Sequence, residues 1–406
     1  MIGKDLKVTF SLLFLAIFIS FQFNSMLLDK FSVFLVLVTC ILSGKKEARF
    51  MNPFYLFAIT PLSLLAYVNV GSFYMLDLKH ETYQLAILNM AAFVFAIKIT
   101  RGAKNVPYYA GINLSSHLIV HAIILYLLGF SARFFPSLSS VLWVFSIGAI
   151  TCAVKSKNKI MLVFVAFIVG SSILFGKSKM IVLLNLLTFL ITYEKYYIKT
   201  LKQRRKLLIY SLIGVCFMIY AFSFANKDRG DYDANDGLHY YSQQGVDWSL
   251  DASFFLPYMY FTTAWSNLQY VTETQTKSTE GLWTLKPLLG YAQFDDDFEK
   301  EYELESYSSF NTFTYIVCAY KDFGFYGSVF MSLFLGFFVK KVYSKYQVSQ
   351  SPFDVAIYAC VSLAVVEMFF SNHFFMQSYP FTIFILMKLY RFFTSPRVIN
   401  KSVVLN

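Results

Sequence analysis

A chain of 406 residues that is 57% hydrophobic and 19% aromatic, with only 15% charged residues, cannot cover an ordinary water-soluble surface. Its net charge of +11 would suit a nucleic-acid partner, but the basic residues are scattered through short turns between apolar runs, and this excludes that class. Five dispersed cysteines (Cys40, Cys152, Cys216, Cys318, Cys360) show neither metal-ligand spacing nor a disulfide framework.

Apolar runs of the length that a ~30 Å hydrocarbon layer requires recur along the chain. They predict twelve membrane-spanning helices, centred near residues 15, 36, 62, 91, 121, 146, 167, 187, 216, 331, 362 and 384. Backbone groups in lipid must be satisfied internally, and the alternation of a barrel is missing, so the expected fold is an all-α polytopic bundle. The first run, Leu6 to Phe23, has no small-residue cleavage site after it and reads as a retained helix. The second, Phe31–Ser43, is short.

Taken in order, the connecting turns alternate in charge. With the N-terminus placed inside, the inner turns and tails hold 24 of the 35 basic residues, and the short outer turns hold five: Lys30, Lys79, Arg133, Lys177 and Lys179. This positive-inside bias predicts both termini in the cytoplasm. Three regions follow: nine spans over residues 1–225, a hydrophilic block over 226–322, and three spans with a basic tail over 323–406.

The block from Asn226 to Asp322 breaks the pattern. It carries 16 acidic but only 6 basic residues, a net −10 against +21 for the rest of the chain, and it is expected on the outer face. Within it, Leu250–Leu268 predicts an aromatic-rich helix lying along the membrane interface. Asp295–Glu305 is a charged, solvated patch, and Ser306–Tyr320 turns apolar again and predicts a short re-entering helix.

Several residues suit chemistry at an outer site. Lys177 and Lys179, in Gly176-Lys177-Ser178-Lys179, run against the orientation rule and could hold a phosphate group; a snorkelling pair is the plain alternative. Arg229 follows the ninth span and suits bidentate phosphate binding, although an ion pair with Asp228 or Asp231 would also employ it. His239 and His373 are candidate general bases that could equally be structural, and Tyr320, Lys321 and Asp322 end the block where they could line the site. Tyr232, Tyr240, Tyr241, Trp248, Trp265, Trp283 and Tyr320 offer faces for sugar rings, or anchor the chain at the interface. Asp322-Phe323-Gly324 spells a kinase motif without the companion elements of a kinase, and Asp231-Tyr232-Asp233 and Asp295-Asp296-Asp297 are short acidic runs with no metal implied. Glu367 is an intramembrane acid, functional or paired within the bundle.

This organisation resembles the Wzy-type O-antigen polymerases in its many spans, cytoplasmic ends and single large outer loop. Gly176-Lys177-Ser178 looks like that family's glycine–basic–hydroxyl element, and Arg229-Gly230 like its loop-initial arginine. Asn311-Thr312-Phe313-Thr314 followed by Tyr320-Lys321-Asp322-Phe323-Gly324-Phe325-Tyr326-Gly327 looks like its loop exit. The chain departs from the pattern where lysine replaces arginine at 177 and where Tyr240, not glycine, stands eleven residues beyond Arg229.

The resemblance implies a metal-independent, cofactor-free GT-C glycosyltransferase of the bacterial inner membrane, acting on undecaprenyl-diphosphate-linked oligosaccharide, with a chain-length regulator and a flippase as pathway partners. Lys177, Lys179, Arg229 and Lys321 would hold diphosphate. Arg229, His239, His373 or Asp322 would serve the chemistry. An O-antigen ligase and a lipid-linked oligosaccharide flippase remain alternatives, and a polytopic acyltransferase is a weaker one.

Overall fold

The computed structural model describes residues 4–47, 49–70, 77–101, 115–131, 134, 144–175, 179–198, 200, 202–203, 206–207, 209, 255–274, 278–279, 281, 283–284, 312–371, 374 and 379–394. Every element among them is helical. In chain order these are α1 (Lys4–Gln22), α2 (Met26–Lys45), α3 (Pro53–Phe57), α4 (Ile59–Val70), α5 (His80–Ile99), α6 (Ser115–Ser131) and α7 (Phe145–Lys155). Then come α8 (Lys159–Phe175), α9 (Lys179–Tyr197), α10 (Phe255–Thr262), α11 (Ala264–Thr274), α12 (Tyr315–Val348), α13 (Pro352–Val366) and α14 (Tyr379–Thr394), with a 3-10 turn at Glu367–Phe369.

Helices cover eleven of the twelve predicted centres; the twelfth, near residue 216, lies outside the described residues. Among the described residues, five segments are long and apolar enough to cross a membrane: Asp5–Gln22, Met26–Lys45, His80–Ile99, Tyr315–Val348 and Pro352–Phe369. Their outer faces are oily, with Phe14 70% and Leu27 75% exposed, as lipid-facing positions would be. The second helix is longer than its apolar run predicts, because Asp29 in its first turn finds polar partners on α1 and α5 and need not stay in water.

The chain forms two compact units. The first comprises Met1–Gly102, Ile198–Tyr343 and Val361–Ser378. Its helices alternate in direction, which gives it two distinct ends. At one end the Lys30 ammonium donates to the Val68 carbonyl at 2.8 Å, and His80 meets Asp29. At the other, Lys46 pairs with Asp5 and Lys340 with Glu47. Asn52 closes the α2–α3 turn there, its amide donating to Arg49 O and its oxygen capping the amides of Phe54 and Tyr55 ahead of Pro53. The first end, where α12 begins, is termed the loop end, and the second the lysine end.

Between the ends the core is aromatic, with the Phe57 ring tilted against Phe93 at 4.3 Å and edge-on to Tyr315. One polar knot crosses it: the Asn89 amide donates to Ser328 Oγ at 3.0 Å and its carbonyl accepts from Ser332 Oγ at 2.6 Å, tying α5 to α12. One turn further on, Gly336 lets α12 approach α5 so closely that a Cβ there would sit 2.6 Å from Phe93 O.

The second unit comprises Ala103–Tyr197, Ser344–Cys360 and Tyr379–Asn406. In it α7 packs against α6, α8 and α9, and Gly148 makes room for Leu125 and Met387. His121 bonds Tyr390 Oη at 2.8 Å. The turn before α13 is clamped by Asp354, which accepts from Ser349 Oγ at 2.6 Å and pairs with Lys345 at 3.0 Å. Lys195 adds bonds to the carbonyls of Tyr346 and Gln347.

Candidate functional site

The described part of the acidic block belongs to the loop end of the first unit. The expected interfacial helix appears as two helices, α10 and α11; α11 is mostly buried in the unit, while α10 buries Met259 and Thr262 and keeps Tyr260 exposed. Trp265 is fully buried, and its indole N–H donates to Ser63 Oγ at 2.6 Å; Met259 and Leu268 are buried with it. The physical reason is the polar content of the two helices. Each buried hydroxyl or amide finds an acceptor, so the aromatic surface can leave water without orphaning polar groups. Thr263 Oγ1 bonds Thr312 Oγ1, and the Asn267 amide donates to Thr312 O at 2.6 Å.

The rim of α11 is fastened to the start of α5. Lys79 N donates to Gln269 Oε1 at 2.8 Å, Thr82 and Thr272 share a hydroxyl bond of 3.0 Å, and Lys79 Nζ pairs with Glu273 at 2.5 Å. The hydrogen bond and charge of Lys79 hold the Glu273 carboxyl below its ordinary range, and Glu273 in turn raises the Lys79 ammonium. Tyr258, which reaches toward the Ala66 carbonyl, has its phenol pushed up by burial.

The loop exit is built around Asp322. Helix α12 starts at Tyr315 and is broken at Gly324, whose φ of 67° and ψ of −163° suit glycine alone, so a short helix precedes the long one; of the Ser306–Tyr320 stretch expected to form such a helix, residues 306–311 lie outside the described residues. In the last turn before that break, the buried Asp322 carboxylate accepts from Thr279 Oγ1 at 2.5 Å, from Trp283 N at 3.1 Å and from Thr284 N at 2.6 Å. Its own carbonyl takes Ser278 Oγ, and Lys321 O takes Thr279 N. The carboxylate thus caps the turn at Trp283 and staples the 278–284 segment to α12. Lys321 Nζ lies 5.8 Å from the centre of the Trp283 ring, within cation–π range.

Of the residues singled out in the sequence, Trp283, Lys321 and Asp322 are brought together here: an indole, an ammonium and a carboxylate in one cluster. Trp265 lies in the core, and Tyr320 is half-buried on α12. Glu367 is buried in the 3-10 turn, where its carbonyl accepts from Phe370 N and Ser371 N. Lys179 opens α9 in the second unit. Lys177, Arg229, Tyr232, His239, Tyr240, Tyr241, Trp248 and His373 lie outside the described residues. Among the described residues, no three His, Cys, Asp or Glu side chains converge on a point where a metal ion could sit.

One constellation escaped the sequence reading. The buried Asp29 carboxylate accepts from Ser20 Oγ at 2.8 Å and from His80 Nδ1 at 2.7 Å, and Gln84 Nε2 donates both to His80 Nε2 at 3.0 Å and to Ser20 O at 3.1 Å. The carboxylate fixes the Nδ1–H tautomer and leaves Nε2 as an acceptor. An imidazole steered by a buried carboxylate is the arrangement in which the far nitrogen can take a proton from a hydroxyl that displaces Gln84. Asp29 and His80 stand 51 residues apart on different helices, so no spacing rule announces them.

The described residues therefore define an all-helical protein of membrane character, with part of its acidic block docked on one end of a helical unit. Comparison with known proteins adds no relative: no protein-family model, no curated protein and no solved structure matches the chain.

Proposed function

We propose that the chain is a membrane glycosyltransferase that joins undecaprenyl-diphosphate-linked oligosaccharide repeat units into O-antigen or a similar surface polysaccharide, on the extracytoplasmic face of the bacterial inner membrane. The observation that carries this reading is the docking of α10, α11 and the 278–284 segment on the end of the first unit opposite Lys46, Lys98 and Lys340. An aromatic, acidic block seated away from the basic end suits a polymerising enzyme that meets its lipid-linked substrates from outside.

In this scheme the acceptor sugar's hydroxyl oxygen attacks the anomeric carbon of the growing glycan. The bond from that carbon to the diphosphate oxygen breaks, and undecaprenyl diphosphate leaves with the electron pair. Arg229 and Lys321 neutralise the diphosphate, which needs no further activation as a leaving group. The hydroxyl proton passes to a base, for which His80, steered by Asp29, joins His239 and His373. Asp322 holds the loop exit in place.

Gene deletion followed by gel analysis of envelope polysaccharide tests the proposal. Loss of the polymer ladder with single-repeat material retained is the expected result. Polymer that persists on carrier lipid but never reaches lipid A core would identify a ligase instead, and an unchanged ladder would refute both.

A further inference from the structure

At the lysine end of the first unit, α1, α2 and α5 enclose a cavity of about 150 Å³. Its wall is apolar, made by Val8, Leu12 and Leu42, and Val8 and Leu42 are also about half exposed on the outer face, so the cavity is continuous with the lipid-facing surface. Its head is polar. Thr9 and Ser43 sit there with their hydroxyls 3.4 Å apart, beside Lys46 and Lys98.

The charges do not balance. Asp5 is paired with Lys46, and Glu47 with Lys340 at 3.0 Å. All four act electrostatically on Lys98, the third lysine of the cluster. Its ammonium lies 5.8 Å over the Phe54 ring, and among the described residues it has no hydrogen-bond acceptor. A half-buried ammonium with unspent donors, at the head of an apolar slot, complements an amphiphile whose head is an anion.

We infer that this cavity is a headgroup site for an anionic phospholipid of the leaflet on the lysine side. The lipid phosphate accepts from Lys98, with the Thr9 and Ser43 hydroxyls at its edge, and the first methylenes of an acyl chain lie along Val8, Leu12 and Leu42. The site stands apart from the loop end and does not depend on any reaction performed there.

Thermal unfolding of the purified full-length chain in non-ionic detergent tests this, with phosphatidylglycerol, phosphatidylcholine or inorganic phosphate added. A ligand that binds the folded state raises the melting temperature with its concentration. Phosphatidylglycerol should do so in the unsubstituted chain, and phosphatidylcholine and inorganic phosphate should not. Lys98→Gln should weaken phosphatidylglycerol binding by roughly tenfold or more, since a charged hydrogen bond is lost. Val8→Trp, which fills the slot from its half-exposed wall, should abolish the rise without touching a charge. Native mass spectrometry should show phosphatidylglycerol retained by the unsubstituted chain and lost from both variants. Equal retention and equal melting shifts in all three proteins would overturn the assignment, as would a rise reproduced by inorganic phosphate alone.

Discussion

Replacing Asp322 separates a structural carboxylate from a reacting one. Asp322→Asn preserves shape and removes charge. If the amide oxygen keeps the two donors now on Oδ1, Thr279 Oγ1 and Trp283 N, then the new NH2 faces Thr284 N, which today donates to Oδ2 at 2.6 Å. One charge-assisted bond is lost and two donors confront each other, a cost of about 1.5–3 kcal/mol. Asp322→Ala strips both acceptor oxygens, and the three hydrogen bonds they take, from a buried position and orphans two backbone amides, on the order of 4 kcal/mol. Thermal unfolding in detergent should rank the proteins Asp, Asn, Ala in falling stability, and hydrogen exchange should show the Trp283 and Thr284 amides losing protection in the same order. Unchanged melting and exchange in both variants, together with loss of polymer in cells, would refute the staple and return the carboxylate to the chemistry.

Other outcomes follow from single contacts. Gly336→Ala places a Cβ 2.6 Å from Phe93 O and 2.7 Å from Ala96 Cβ, so α12 must move off α5, and about 1–3 kcal/mol of stability should disappear in a detergent melt. Gly324→Ala meets no atom within 4 Å, so its cost is purely the backbone one of φ 67° and ψ −163°, about 1–3 kcal/mol, and should appear without any change in neighbouring side-chain packing. The Lys79–Glu273 tie has a defined pH window. Glu273 is lowered from 4.5, so its contribution is present above that value and lost as pH falls through the folded pKa; Lys79 is raised from 10.5, so its contribution is lost only as pH rises through its own folded value. Exchange protection of α11 should therefore fall in acid and in high salt, and Lys79→Ala should remove both dependences.

The helices were readable because lipid imposes a length and a composition on each of them. The runs around residues 15, 91, 331 and 362 stand out for that reason, and α1, α5, α12 and α13 lie over them. The break at Gly324 inside α12 was not foreseen: the sequence suggested a short helix up to Tyr320 and a separate span from Phe323, and only the backbone shows the two joined across a glycine of positive φ. What could not be read was how polar groups meet. Asp29 and His80 become partners only when α2 and α5 are packed, and Trp265 looked like an interface residue because nothing in a linear pattern locates Ser63, 202 residues earlier. Asp322 drew notice as a member of a motif, yet its neighbours Thr279, Trp283 and Thr284 arrive from about forty positions upstream.

The knot between Asn89 and α12 bears on biogenesis. Asn89 lies midway along α5, one of the helices long and apolar enough to cross a membrane, and Ser328 lies 239 residues further along the chain. At ribosomal speeds of about 5–20 residues per second, the carboxamide waits roughly 10–50 s before its hydroxyl partners have been synthesised. Until then its own helix, through Leu85 O, takes one of its protons, and the rest of the carboxamide must be met by water or another polar group. The carboxamide is fully satisfied only once α12 has been made and packed against α5.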